Sequence, residues 1–371
     1  MATKPSADTT SAPSPPLRRG WTTGTCATGA AKAAFQALAG AGFPDPVEIT
    51  LPHGGSATLP LARTELAAGR AFAAIVKDAG DDPDVTHGCE VGATVAPGPP
   101  GSGIHFLAGP GVGTVTLPGL PLPPGEPAIN PGPRAMIRTA LEEVAAATGQ
   151  PADVSVTVSI PNGAEIAART WNPRLGILGG LSILGTTGVV VPYSCSAWIH
   201  SIQRGIDVAR AAGLDHVAAC TGSTSEAAVR RRHALSDLAL LDMGDFAGGT
   251  LKYLRRHPVA RLTLAGGFAK LTKLAQGAMD LHSARNPMRP EALADLLRTM
   301  AAPAPLVALA ATANTALELH QAAEALGFPL AQHVAEQART VAQAVAGDAV
   351  AVEVLVYDRM GREVGWAPGW S

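Results

Sequence analysis

Residues 216–235 read HVAACTGSTSEAAVRRRHAL. A short apolar run comes first, then a polar loop (TGSTSE, 221–226), then a run of Ala and Arg that favours helix. Residues 261–282, RLTLAGGFAKLTKLAQGAMDLH, repeat the plan, and 304–326, APLVALAATANTALELHQAAEAL, give a weaker third copy. Short apolar runs alternating with helices predict βα units on a largely parallel sheet. In such sheets ligands sit beyond the carboxyl ends of the strands. The two loops therefore offer Gly222, Ser223, Thr224, Gly266 and Gly267 as cofactor contacts, although ordinary helix capping explains either loop alone. Lys270 and Lys273, three apart, share one helix face, which either binds carboxylates or faces solvent. Lys270 joins the cofactor set. Arg230, Arg231 and Arg232 are consecutive, so they fan around their helix as surface residues.

Downstream, 349–367 reads as a hairpin turning at Arg359-Met360-Gly361. Upstream the style changes. Residues 25–39 read as a small-residue helix, 47–62 as two strands around a Gly-rich turn, and 71–77 as a strand ending in the acidic loop DAGDDPD (78–84). Residues 133–148 read as a second helix, with Pro133 suited to its first turn. Residues 154–168 read as strand, turn, strand. Helix followed by hairpin thus occurs twice, by internal duplication or by coincidence. The reading is a two-domain chain. A disordered tail (1–16) precedes an α+β domain of helix–hairpin units (17–172) and an α/β domain with a terminal hairpin (173–371), with the boundary near 171–176.

Composition narrows the function. The chain has 371 residues, 47% hydrophobic and 16% charged, as a globular protein with a substantial core would be. A net charge of −2 gives no broad basic footprint for nucleic acid. The cysteines, Cys26, Cys89, Cys195 and Cys220, are far apart, so neither a metal cluster nor a disulfide framework is expected, and a reduced cytoplasmic setting fits. Residues 175–203 contain no Asp, Glu, Lys or Arg and are long enough to span a bilayer, but Gly, Thr and Pro192 argue for a buried strand–loop segment against a membrane span.

Four further motifs matter. In LRRGWTTGTCATGAAKAA (17–34), three threonines and a glycine open a helix behind Arg18 and Arg19. Thr23 or Thr25 can cap it, and Cys26 at a helix start has reason for a lowered pKa. DAGDDPD crowds four carboxylates into seven residues. Its spacing fits no calcium loop, and a turn needs fewer acids. A functional loop is favoured, with Asp81, Asp82 and Asp84 as catalytic carboxylates that act as a base or attract a cationic cofactor such as a sulfonium. His87 and Cys89 alternate in an expected strand and read as structural. Asn130 and Arg134 flank a helix start, where a cation is unfavourable unless it holds a ligand or points to water. GPGVGTV (109–115) looks like a nucleotide loop, but Thr, Val and then prolines follow it, so no helix opens there.

Taken together, LRRGWTTGTCATGAAKAA, VKDAGDDPDVTHG, GPGVGTVTLPGL, PAINPGPRAMI, GGLSILGTTGVVVPYS and GGFAKLTKLAQGAMDLHS resemble the CbiD family, in the family's order. Gly132 stands where that family carries a bulkier residue. The resemblance implies methyl transfer from S-adenosylmethionine (SAM) to C-1 of cobalt-precorrin-5B, giving cobalt-precorrin-6A in anaerobic cobalamin biosynthesis. It implies a Rossmann-like second domain, and cobalt only within the substrate. Membrane and nucleic-acid partners are not expected. Homo-oligomerisation and handover to neighbouring pathway enzymes stay open, as does a non-enzymatic tetrapyrrole carrier. Methyl transfer to carbon from a sulfonium needs positioning more than a protein nucleophile. With a polycarboxylate substrate in view, Arg19, Thr22, Thr23, Gly24, Thr25, Asn130 and Arg134 become candidate substrate contacts.

Overall fold

The computed structural model describes residues 16–287, 289–313 and 315–370. The expected tail therefore lies, except for Pro16, outside the described residues. The chain divides into two compact units: residues up to 112 with 129–166 and 182–194, and residues 113–128 with 167–181 and 195–371. Each unit is thus assembled from separated segments, where the sequence suggested a single boundary near 172.

The first unit contains β1 (Gly20–Trp21), α1 (Thr23–Leu38), β2 (Val47–Thr50), β3 (Ser56–Leu59), β4 (Arg63–Ala67), β5 (Arg70–Val76), β6 (Glu90–Pro97) and β7 (Ile104–Ala108). After β8 (Thr114–Val115), in the second unit, it resumes with α2 (Pro131–Thr148), β9 (Val154–Ser159) and α3 (Gly163–Ala167). The remaining short pieces are β10 (Ile177–Leu178), which pairs with β8, and β11 (Val189–Val190), which pairs with β1. The main sheet has the order β4-β5-β6-β9-β7, antiparallel except where β7 runs parallel to β9. Strand β9, VSVTVS, alternates buried and half-buried side chains, the period-2 pattern of a sheet with one covered face.

Helix α1 is buried along nearly its whole length, and its small residues explain how. A Cβ on Gly29 would lie 2.7 Å from Ile75 Cδ1 and 2.8 Å from Leu59 Cδ1, so the helix backbone rests directly on the strands. The Ala/Gly run is a close-packing surface.

The second unit continues with α4 (Cys195–Ala211), β12 (His216–Cys220), α5 (Ser223–His233), β13 (Leu240–Asp242), α6 (Ala247–Arg256), β14 (Arg261–Gly267) and α7 (Phe268–Ala275). It ends with α8 (Pro290–Thr299), α9 (Ala304–Thr312), α10 (Ala316–Ala325), α11 (Leu330–Ala346), β15 (Ala351–Tyr357) and β16 (Glu363–Ala367). The sheet order is β13-β12-β14-β15-β16, with the first four strands parallel and β16 antiparallel. The chain leaves β12 for one neighbour, β13, then crosses back to its other neighbour, β14. Strand order therefore reverses at the β12/β14 crevice. The core joins Leu241, Leu264 and Val352 of the sheet to Leu251, Leu271 and Val334 of helices. On the same sheet, buried Glu353 accepts hydrogen bonds from Thr263 Oγ1 (2.7 Å), His233 Nε2 (2.7 Å) and Trp366 Nε1 (2.9 Å). His216 Nε2 lies 2.8 Å from Thr263 Oγ1, and burial pushes the His216 pKa down to about 4.

Mixed α/β architecture, both clear βα units and the terminal hairpin match the sequence reading. Three local readings do not. Residues 163–167 form a helix, not a strand, so the second hairpin and with it the supposed duplication are absent. At the start of this helix Gly111 and Gly163 meet backbone to backbone. Residues 304–326 are two helices, α9 and α10, and add no strand to the sheet. Residues 175–203 contain two-residue strands and the start of amphipathic α4, with Leu184, Val191 and Trp198 substantially exposed.

Candidate functional site

In the first unit, the acidic loop and the chain entering α1 cross at two glycines. A Cβ on Gly20 would run into the Ala79 backbone, and one on Gly80 (φ +68) into the Arg18 carbonyl. The crossing is sewn by Trp21 N–H to Asp78 O (2.7 Å), Asp81 N–H to Arg18 O (3.0 Å) and Arg18 N–H to Asp81 Oδ2 (2.6 Å). The Arg18 guanidinium pairs with both Asp78 oxygens, and with the Gly80 N–H it draws the Asp78 pKa down to about 2.

Asp84 is bound as firmly. It pairs with Lys77, whose side chain is only 1% exposed, and accepts from Thr86 N–H (2.8 Å) and Thr86 Oγ1 (2.7 Å). Burial pushes the Asp84 pKa up, but the Lys77 charge and these hydrogen bonds outweigh it, and the net direction is down. A carboxylate so occupied is a weak base. Its two oxygens hold the loop around buried Lys77, which leaves Asp84 less suited than Asp81 or Asp82 to the base role expected of it. Asp82 accepts from Tyr193 N–H (2.8 Å), where Tyr193 has φ +56. The crowding of acids is thus offset by the chain's own donors, and Asp81 and Asp82 keep one carboxylate oxygen each with no hydrogen bond among the described residues. Among the described residues no group of three or more His, Cys, Asp or Glu is placed to hold a metal ion. His87 and Cys89 lie in a turn before β6, not in a strand, and His87 Nδ1 accepts the Ala79 N–H at 3.1 Å.

The start of α1 is a closed joint. Thr22 caps the helix, its Oγ1 accepting from Thr25 N–H at 3.1 Å. Thr25 Oγ1 donates to Gly188 O (2.6 Å), Thr22 N–H to Gly188 O (3.1 Å) and Gly24 N–H to Leu184 O (2.9 Å). A Cβ on Gly24 would sit 2.7 Å from Pro133 Cγ. The donors expected to hold a substrate carboxylate at Thr22, Gly24 and Thr25 are therefore spent on the chain's own carbonyls, and buried Thr23 sits among them. Cys26 is corrected as well: burial pushes its pKa up to about 12. Arg19 is exposed. Asn130 occupies the N-cap of α2 without a side-chain cap bond, and its N–H goes to Ile183 O at 3.1 Å. Arg134 Nε donates to Ile129 O (2.7 Å), and its guanidinium lies over the Phe106 ring beside Arg138.

In the second unit the geometry is open. A cavity of about 370 Å³ lies at the carboxyl ends of β12, β14 and β15. The loop after β12 lines it with Thr221, Gly222, Ser223, Thr224 and Ser225, the loop after β14 with Gly267, Phe268 and Ala269. These are the two sides of the β12/β14 crevice, the place where open α/β sheets bind ligands. Helices α5 and α7 both begin here, on Gly222 and Gly267, and neither has a side-chain cap. Their first N–H groups remain available to an anionic group. A Cβ on Gly222 or Gly267 would meet nothing within 4 Å.

Two of the expected cofactor contacts do other work. Gly266 is required because a Cβ there would lie 2.7 Å from Thr221 Oγ1. Lys270 Nζ braces the same loop, donating to Thr221 O (3.0 Å) and pairing with Asp245 (3.0 Å). Lys273 is buried, donating to Leu281 O and Ser283 Oγ, and burial pushes its pKa down, so the two lysines form no solvated face. The remaining wall, Leu317 and His320 of α10, Tyr357 at the end of β15, and Asp358 and Arg359 just after it, was missed by sequence reasoning. The βα pattern gave a signal for β15's end, whereas α10 read as part of a third βα unit.

GPGVGTV ends β7 and leads into β8, with no helix after it. No helix among the described residues is long and apolar enough to cross a membrane.

Residues 10–192 match the family model described as CbiD, and 280–368 that of the CbiD C-terminal domain. A cobalt-precorrin-5B C(1)-methyltransferase of Paramagnetospirillum magneticum is 61% identical over 350 residues, covering 94% of this chain and 98% of that protein. One of Rhodospirillum rubrum is 60% identical over 350 residues, covering 94% and 97%. The 1.9 Å crystal structure of a cobalamin biosynthesis protein (cbiD) from Archaeoglobus fulgidus aligns with TM-score 0.40 and 28% identity over 72% of this chain and 83% of that one.

Proposed function

The chain belongs to the CbiD family, and from that premise we propose that it is a cobalt-precorrin-5B C(1)-methyltransferase of cobalamin biosynthesis. The observation that carries this is 61% identity to a protein of that name across 94% of the chain. The methyl donor is SAM. The electron pair of the substrate carbon forms the new C–C bond while the C–S pair leaves on sulfur, releasing S-adenosylhomocysteine. No protein nucleophile takes part, in keeping with thiols at Cys26 and Cys220 that burial holds protonated.

The second unit is Rossmann-like, and its cavity is the SAM seat. Uncapped α5 and α7 give their first N–H groups to the methionyl carboxylate, with Gly222, Ser223, Thr224 and Gly267 as the contacts. In the first unit, Asp81 and Asp82 are the acidic groups with oxygens left for substrate or for a transferring cation, and Arg19, Asn130 and Arg134 remain candidates for the substrate's carboxylates. The test is direct: purified protein with SAM and cobalt-precorrin-5B should yield a product one methyl heavier, together with S-adenosylhomocysteine. An unchanged substrate mass with active substrate would refute the assignment.

A further inference from the structure

Two guanidinium groups at the mouth of the second unit's cavity lack a counter-charge. Arg359 lines the cavity, is exposed, and makes no hydrogen bond or ion pair among the described residues. It stands in the turn between β15 and β16, which is held from within. Asp358 Oδ1 accepts from Met360 N–H (2.9 Å) and Arg362 N–H (2.8 Å), and Oδ2 from Arg362 Nε (3.0 Å). Asp358, the one acid among the residues lining the cavity, is therefore spent on the turn and leaves Arg359 unpaired. Arg231 reaches the same turn from α5. A Cβ on Gly361 would have Thr224 Cγ2 at 3.4 Å and Arg231 Nη2 at 3.9 Å, and Arg231 too is exposed and unpaired among the described residues. The arginines beside them are matched: Arg230 with Glu226 and Asp237, Arg232 with Glu363, Arg362 with Asp358 and Glu324. Acids meet these three and neither of the two at the mouth.

We infer that Arg359 and Arg231 form a carboxylate-binding rim that takes an acidic side chain of the tetrapyrrole where it closes over the cofactor. This rests on the reading that the cavity seats SAM and that the substrate is a cobalt-precorrin. Counting charge decides between the two ligands. Each uncapped helix start, at Gly222 and Gly267, carries about half a positive charge, so the pair matches the single methionyl carboxylate. SAM brings no second anion, and further cations repel its sulfonium and ammonium. Two full guanidinium charges at the mouth thus exceed what the cofactor can use. A polycarboxylate substrate can use them, and the guanidinium fork meets a carboxylate through two parallel hydrogen bonds.

The test measures binding of S-adenosylhomocysteine by calorimetry, and of cobalt-precorrin-5B by absorbance with S-adenosylhomocysteine present. Wild-type protein, Arg359→Gln, Arg359→Lys, the double variant Arg231→Gln with Arg359→Gln, and Gly222→Val are compared, with melting temperature recorded for each. Arg359→Gln is expected to weaken the tetrapyrrole about tenfold, the loss of one charge-assisted contact, and the double variant more. Both should bind S-adenosylhomocysteine as wild type does and melt as wild type does, because the side chains are exposed and unpaired. Arg359→Lys restores the charge without the fork and should recover part of the affinity. A double variant that binds the tetrapyrrole as wild type does overturns the rim. So does one that loses S-adenosylhomocysteine and keeps the tetrapyrrole, since the arginines would then serve the cofactor. If Gly222→Val binds S-adenosylhomocysteine normally, the cavity reading fails on its own. Wild-type protein that binds the tetrapyrrole without methylating it would sink the assigned reaction and leave the rim standing, and wild-type protein that binds none would overturn the rim.

Discussion

The starts of α1 and α5 look alike as sequence, TTGT and TGST, yet they do opposite things. At α1 every neighbouring carbonyl has moved in: Gly188 and Leu184 take the Thr22, Gly24 and Thr25 donors, and Gly24 has no room for a Cβ. At α5 the N-cap is Gly222, no side chain caps the helix, and a Cβ there would meet open space above a cavity of about 370 Å³. Small polar residues at a helix start mark either a joint or a seat. What decides is whether another segment of chain fills the space over the amides.

The contrast can be broken most forcefully at the joint. Gly20→Val is expected to prevent folding of the first unit, since its side chain collides with the Ala79 backbone, whereas Gly222→Val should melt within a few degrees of wild type. Soluble expression and circular dichroism would check both. Lys77→Met leaves Asp84 half-buried without its cation and should cost about 3 kcal/mol, the range for breaking a buried pair, as read by urea unfolding. Thr25→Val removes a hydroxyl bonded to both Gly188 O and Thr22 Oγ1 and should cost about 1–2 kcal/mol by the same measurement.

The smallest effect is a pH dependence in the second unit. His216 is neutral in the fold, with its pKa lowered to about 4, and ordinary when unfolded, near 6.5. Below about 6.5 the unfolded chain binds the extra proton, so stability falls as pH drops from there toward 4 and is undiminished above. His216→Asn should flatten that part of the melting-temperature profile. An unaltered profile would show that another group carries it.

Much of this was legible in the sequence. The βα units at 216–235 and 261–282 were, because apolar run, Gly/Ser loop and helix former follow one another without interruption. So was the failure of GPGVGTV as a nucleotide loop, given the prolines behind it. The cavity wall from α10 was not, because the apolar run at 304–312 has no periodicity that separates a buried helix from a strand. Nor was the fate of the acidic loop. Four aspartates in seven residues reveal crowding, but only the fold brings Arg18 and Tyr193 to them and turns Asp84 back onto Lys77. The helix start of α1 failed for the same reason: its partners, Leu184 and Gly188, lie about 160 residues away in sequence.

Calorimetric titration of S-adenosylhomocysteine into wild-type, Thr25→Val and Gly222→Val proteins tests the difference between joint and seat most directly. Thr25→Val should bind as wild type does once folded, and Gly222→Val should lose at least a hundredfold in affinity at nearly unchanged melting temperature. The reverse pattern, with Thr25→Val impaired and Gly222→Val intact, would contradict the account by moving the cofactor to the first unit.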